Sequence, residues 1–258
     1  EGCKAKPTNF EKKKKEMMQK LDYGEIIKLA WKEFDGERHE IKGVFDVSAK
    51  VSTNHVYKIS FYKREPVFAK ISEYGNFEDF REDHIIINNL ANNLEYPYQM
   101  FLAQSLVKRN ELYIYRYHER ERSAWVVFYN PIQIRNKLPR RLEERHIKKL
   151  GRELARFHKA CTNVSNQLPH SSKNVITDIQ KLKRSIHKSE IQMEESHKDL
   201  ILRHADYFLG NADRVNYNTE IETIPVLVDW NIGNFSITGD GKFYSRWDYD
   251  WFRMSSRV

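Results

Sequence analysis

The spacing of apolar residues changes along this chain, and that change restricts its fold more than any other feature. Val44-Phe-Asp-Val47 and Val56-Tyr-Lys-Ile-Ser-Phe-Tyr62 are alternating or rich in β-branched and aromatic residues, and Lys63-Arg-Glu-Pro66 places a turn before Val67-Phe-Ala-Lys70-Ile71. These segments predict three antiparallel strands. Asn76 then caps a helix through Phe77, Phe80, Ile86, Ile87, Leu90 and Leu94, and Pro97 closes it. Leu102 to Val107 and Glu111 to Tyr117 give two further strands around Lys108-Arg-Asn110. Beyond an Arg-rich connection the period turns helical: Ile147, Leu150, Leu154, Phe157, His158 and Cys161 recur at helical offsets. Further helices are expected over Asn174 to His187 and Asp199 to Tyr217, with Pro225 ending the run. The expectation is an α+β chain of two lobes, a small antiparallel sheet with one helix followed by a larger, mostly helical part.

Ahead of the sheet, a lysine block (Lys12 to Lys15) leads into an amphipathic stripe of Leu21, Ile26, Ile27, Leu29, Ala30 and Phe34 around Trp31. The predicted organisation is a helical extension over 1–42, an N-lobe over 43–118 and a C-lobe over 119–258. A chain of 258 residues suits one large or two small domains. Position 1 is Glu rather than Met, so the chain is not expected to begin at its native start, and the C-lobe over 119–258 is expected to be incomplete, truncated at its C-terminus.

Composition narrows the function classes. Hydrophobic residues make up 40% and charged residues 31%, a globular balance, and no apolar run approaches the roughly 18 residues of a membrane span. The N-terminus is charged and has no apolar signal-like segment, and Cys3 and Cys161 are the only cysteines, which points to a reducing cytoplasm. The net charge of +8 raises nucleic-acid binding. The basic blocks, Lys12 to Lys15 and Arg135 to Arg145, carry no interleaved aromatics, which argues for solvated faces instead. A basic protein that handles ATP or an anionic acceptor needs no nucleic acid to explain its charge.

The chemistry concentrates near the C-terminal end, in Asp229-Trp-Asn-Ile-Gly-Asn234 and in Trp247-Asp248-Tyr-Asp250. An Asp, an Asn five residues on and a second Asp fourteen residues after that are what a phosphoryl-transfer site of the protein-kinase type uses, as base and as metal ligands. A short strand (Phe235 to Ile237), a Thr238-Gly-Asp-Gly241 turn and a returning strand (Lys242 to Trp247) would carry Asp248 back beside Asn234. Asp and Asn are also ordinary turn residues, so the pair alone is weak.

Such a site also needs a lysine for the phosphates and a carboxylate to orient it. Lys70 ends a Val-Phe-Ala-Lys strand and fits the first role, though an ordinary edge lysine fits the same pattern. Glu82, twelve residues on, is the chosen carboxylate, with Glu78 and Asp83 as close competitors. The loop Ser48 to His55 would cover the phosphates with backbone amides and with Ser52, Thr53 and Asn54, but it contains no glycine, and a plain β-turn fits it equally. The adenine pocket is expected near Tyr115-Arg-Tyr-His-Glu119.

With Lys70, a helix acid, Asp229, Asn234 and Asp248 in this order, the chain resembles the aminoglycoside phosphotransferase and choline kinase family over about residues 43 to 250. Ser52-Thr-Asn-His-Val-Tyr57 and Leu150-Gly-Arg-Glu-Leu-Ala-Arg-Phe-His158 are similar to its phosphate loop and to the helix before its catalytic loop. The resemblance implies a bilobal, protein-kinase-like fold that uses ATP and Mg²⁺ to phosphorylate a hydroxyl, usually on a small molecule. Asp229 would then be the catalytic base, with Asn234 and Asp248 holding Mg²⁺. Two departures stand out. Leu227 occupies the position where the family has His, and His204-Ala-Asp206-Tyr-Phe-Leu-Gly-Asn211 spells the family's catalytic pattern more faithfully. A helical stripe runs through that earlier segment, so the later register is preferred. The departures also keep open a second function, a pseudokinase or nucleotide-binding module without turnover.

Overall fold

The computed structural model describes residues 21–48, 54–131, 136–137, 141–214, 224–227, 235–237, 244–246 and 252–255. In chain order the elements are α1 (Tyr23–Asp35), β1 (Ile41–Asp46), β2 (His55–Phe61), β3 (Val67–Ser72), α2 (Phe77–Asn93), β4 (Val107–Lys108), β5 (Glu111–Leu112), β6 (Ile114–Glu119) and β7 (Arg122–Tyr129). They continue with β8 (Asn136–Lys137), α3 (Glu144–Val164), α4 (Val175–His187), α5 (Glu195–Arg214), β9 (Ile224–Leu227), β10 (Phe235–Ile237), β11 (Tyr244–Arg246) and β12 (Phe252–Ser255). Contacts divide the chain into two compact units, Glu1–Tyr74 with Tyr115–Phe128, and Gly75–Ile114 with Tyr129–Val258.

The first unit is one helix on an antiparallel sheet. The Asp22 side chain accepts the Glu25 N–H at 3.1 Å and starts α1. Gly36 ends it at φ 65°, a left-handed conformation that glycine adopts without steric cost, and returns its N–H to the Lys32 carbonyl at 2.9 Å. The buried stripe of α1 is Ile26, Ile27, Ala30 and Trp31. Five strands follow in the order β1-β2-β3-β7-β6. Trp31 joins the two layers: its ring lies 4.9 Å from Phe61, 5.2 Å edge-on from Phe128 and 5.3 Å from Phe34. The Arg64 guanidinium covers that ring at 5.0 Å. Asp35 ends the helix buried, where a negative charge opposes the helix dipole. His39 compensates by donating its backbone N–H to that carboxylate at 2.7 Å, and Arg64 lies 3.8 Å away.

In the second unit α2 begins at Asn76, whose side chain accepts the Asp79 N–H at 2.8 Å. Ile86, Ile87 and Leu90 are buried along it. Leu154, Phe157 and Cys161 form the buried stripe of α3, and Phe157 stacks on Phe101 at 5.1 Å. α4 packs against α5. Strands β11-β10-β8 make a small sheet, and β9 pairs antiparallel with β12. Among the described residues no helix is long and apolar enough to cross a membrane.

The helices expected over 77–94, 143–161 and 174–187 appear within a turn at either end, and the one expected over 199–217 begins at Glu195, while residues 215–217 lie outside the described residues. The strands after α2 differ. Of Leu102 to Val107 only Val107 enters a strand, a two-residue pairing with Glu111–Leu112, and Ser105 makes an isolated bridge to Tyr129. The fifth strand of the main sheet is instead β7, which sits between β3 and β6. Its last six residues, Ala124 to Tyr129, are all buried. A strand covered on both faces has no polar alternation to announce it.

Trp31 is among the largest fully buried side chains of the described residues. Trp31→Ala should lower unfolding free energy by about 3–5 kcal/mol in urea titration, whereas Leu29→Ala, on the exposed side of the same helix, should change it by less than about 0.5 kcal/mol.

Candidate functional site

Strand alternation assigns a face to every side chain of the main sheet. Tyr23 of α1 contacts the rings of His55 at 4.8 Å and Tyr57 at 6.5 Å, and Trp31 contacts Phe61, so these alternate residues of β2 face α1. Their cross-strand partners, Ile71 opposite His55 and Ala69 opposite Tyr57, share that face. Lys70, opposite Val56, therefore points to the other face, as does Phe68 opposite Lys58. Lys70 is only 6% exposed. β3 lies between β2 and β7, so Lys70 is not on a sheet edge, and a buried ammonium is costly unless charge or hydrogen bonds stabilise it.

Side chains brace the base of the β1–β2 loop. Val47 donates to the Val56 carbonyl at 2.9 Å, and Val56 donates to Ser48 Oγ at 2.9 Å. The Ser48 hydroxyl donates to Asp46 Oδ1 at 2.5 Å, and its backbone N–H reaches the same oxygen at 2.9 Å. Asn54 is buried at the far end of this loop, while Ser52 and Thr53 lie outside the described residues. Beside the loop, the Tyr23 hydroxyl donates to Glu73 Oε1 at 2.5 Å, and Arg122 donates to Glu73 Oε2 at 2.6 Å. Burial, with the Glu73 hydrogen bond and charge adding to it, holds the Tyr23 phenol well above its ordinary pKa.

The three acids of α2 have different surroundings. Glu78 is exposed. Glu82 Oε1 accepts from Ser171 Oγ at 2.6 Å and from the Ser172 N–H at 2.8 Å, and Oε2 accepts from Ser172 Oγ at 2.5 Å. Burial pushes the Glu82 carboxyl upward, but the hydrogen bonds from Ser171 and Ser172 and the charge of Lys173 outweigh it and hold the pKa low. Asp83 is 6% exposed and pairs with Lys173 at 2.7 Å. Neither Ser171, Ser172 nor Lys173 was singled out from sequence. The available signal was the capping box of Asn174 and Thr177, which marks 171–173 as the entry to α4.

Asp229, Asn234 and Asp248 lie outside the described residues. The strands that flank them in sequence lie within. β9 ends two residues before Asp229, β10 begins directly after Asn234, and β11 ends two residues before Asp248. β10 and β11 pair antiparallel, Phe235 with Arg246 and Ile237 with Tyr244. Both strands of the expected hairpin are therefore present, the returning one shorter than Lys242 to Trp247. The competing motif is a helical segment, since α5 runs unbroken from Glu195 to Arg214. Asp206 is 62% exposed at its side chain and pairs with Lys183, and Asn211 donates to the Tyr207 carbonyl at 2.7 Å. Residues five apart on a helix point about 140° apart, which keeps these two side chains from converging on one ion. Among the described residues no cluster of three or more His, Cys, Asp or Glu could hold a metal.

Known proteins show a likeness of fold. No family model matches the sequence, and no curated protein matches it significantly. An amicoumacin kinase solved with AMP-PNP, Ca²⁺ and Ami matches with TM-score 0.55 and 12% identity, over 93% of this chain and 67% of that one. An ethanolamine kinase of Plasmodium vivax matches with TM-score 0.57 and 11% identity, over 95% and 67%. The aminoglycoside phosphotransferase APH(4)-Ia, in a ternary complex with ADP and hygromycin B, matches with TM-score 0.54 and 8% identity, over 92% and 73%. The chain has the α+β, kinase-like fold of these structures.

The depressed carboxyls of Glu82 and Asp79 contribute stability that is present above their ordinary titration range and lost as pH falls through their lowered pKa values. The melting-temperature gap between wild type and Glu82→Gln should be widest near neutral pH and should narrow as pH falls below the ordinary glutamate range of about 4.3, closing only once the lowered pKa is passed, as followed by circular dichroism.

Proposed function

We propose that this chain is an ATP-dependent phosphotransferase that moves the γ-phosphoryl group of MgATP to a hydroxyl of a small molecule. The observation that carries the reading is the buried Lys70 on the sheet face away from α1, in a fold shared with small-molecule kinases. Lys70 would hold the phosphates, and Ser52, Thr53 and Asn54 would line the loop that covers them. A carboxylate of α2 would orient Lys70. Glu82 is the choice from sequence, and the deeper burial of Asp83 makes it the stronger of the two.

Asp229 would accept the proton of the attacking hydroxyl. Asn234 and Asp248 are oxygen donors of the kind Mg²⁺ takes, and the metal would neutralise charge on the transferred group. The pairing of β10 with β11 supports the later register, because it turns the chain back between Asn234 and Asp248. The adenine edge would meet backbone groups near the end of β7 rather than of β6, since β7 is the neighbour of β3 and its Lys70. The acceptor is proposed from the names of the matched structures: an aminoglycoside, an amino alcohol or a related hydroxyl compound. A reducing cytoplasm suits the buried Cys161, whose thiol burial pushes up to about 12.

A second reading, a nucleotide-binding module without turnover, is favoured by Leu227 in the family's His position and by the glycine-free loop. ADP release measured across a panel of aminoglycosides, choline and ethanolamine separates the two. The wild type should turn over one of them, Asp229→Asn should lose about 10²–10⁴-fold in kcat, and Asp206→Asn should stay near wild type. Turnover that survives Asp229→Asn but not Asp206→Asn would move the base to the earlier motif. MgATP binding with no turnover of any acceptor would favour the second reading.

A further inference from the structure

Two adjacent acids of α2 are held by one short loop, and a buried lysine does the part that bears on Asp83. Lys173 is 5% exposed, and its ammonium makes two contacts with α2: the Asp83 carboxylate at 2.7 Å and the Asp79 carbonyl at 2.8 Å. One charge thus grips a side chain and the helix backbone a turn earlier, which fixes how that carboxylate is aimed. The loop is itself braced. The Lys173 N–H donates to Ser171 Oγ at 3.1 Å, and Thr177 Oγ donates to the Ser172 carbonyl at 2.6 Å within the capping box of α4.

Anchoring of α2 does not by itself require Lys173. Three hydrogen bonds from Ser171 and Ser172 to Glu82 already tie the helix to the loop, and Lys181 reaches Asp79 Oδ1 at 3.4 Å. Removing the lysine alone leaves the Asp83 charge buried without its partner, a loss of stability that is measured separately from any loss of affinity. What Lys173 does that these groups do not is orient the Asp83 carboxylate.

We propose that Lys173 is a positioning residue for nucleotide binding, acting through Asp83; this rests on the kinase reading given above. Its signature is a change in MgATP affinity beyond any change in stability, because a residue that holds a binding carboxylate in place tunes the affinity of the site. The test is titration of a fluorescent ATP analogue with Mg²⁺ against wild type, Lys173→Met, Lys173→Arg and Lys181→Met, with melting temperatures taken in parallel. Lys173→Met should bind roughly 10-fold more weakly, Lys173→Arg should recover most of that loss, and Lys181→Met should match wild type. Should Lys173→Met not fold, Lys173→Gln is measured in its place and read the same way. Wild-type affinity in a folded Lys173→Met, or an equal loss in Lys181→Met, overturns the proposal while leaving the kinase reading intact. A wild type that does not bind the MgATP analogue removes both.

Discussion

Strand alternation fixes which residues of the first unit can do chemistry, because α1 covers one face of the main sheet. Trp31 packs on Phe61 and Phe128, and Tyr23 packs on His55 and Tyr57, so one set of alternate side chains is given over to the interface with α1. The other set is not occupied by α1, and Lys70 belongs to it through its pairing with Val56. A slip of one residue in the β2–β3 register would turn Lys70 under the helix and expose its apolar neighbours. The apolar cluster around Trp31 penalises that slip, so it also keeps the lysine on its face.

What the sequence made legible was what local chemistry decides. Asn76 starts α2 because its side chain satisfies the Asp79 N–H, Pro66 lies in the reversal between β2 and β3, and Pro97 follows the end of α2. The three early strands, the α3 to α5 helices and both strands of the β10–β11 hairpin follow from spacing alone. β7 was missed because Ala124 to Tyr129 are buried without alternation, and a short apolar run of that kind has no period to measure. The surroundings of Glu82 could not be foreseen either. Its partner Ser172 is ninety residues away in the chain, and nothing local to α2 points to it.

The acids of α2 show how a motif position and its environment part company. On a helical wheel Glu82 and Asp83 are neighbours, and choosing between them from spacing alone is arbitrary. In the fold they are distinct. Glu82 takes hydrogen bonds from neutral hydroxyls and one backbone N–H at the rim of the loop, while Asp83 faces a lysine in the interior. Asp83 is the more desolvated of the two and is fixed by a buried charge.

The same logic bears on the two copies of the Asp-x-x-x-x-Asn pattern. Letter by letter, His204 to Asn211 is the closer match to the pattern that the resemblance implies. Helical geometry argues otherwise, because five residues along α5 turn Asn211 about 140° from Asp206, and the Asp206 carboxylate is already paired with Lys183 near the surface. Phosphoryl transfer needs oxygen donors converging on one cation, and convergence comes from a chain that reverses direction. Next to Asn234 the chain does reverse, as β10 and β11 pair antiparallel. The later copy is the weaker match in spelling and the stronger one in physics.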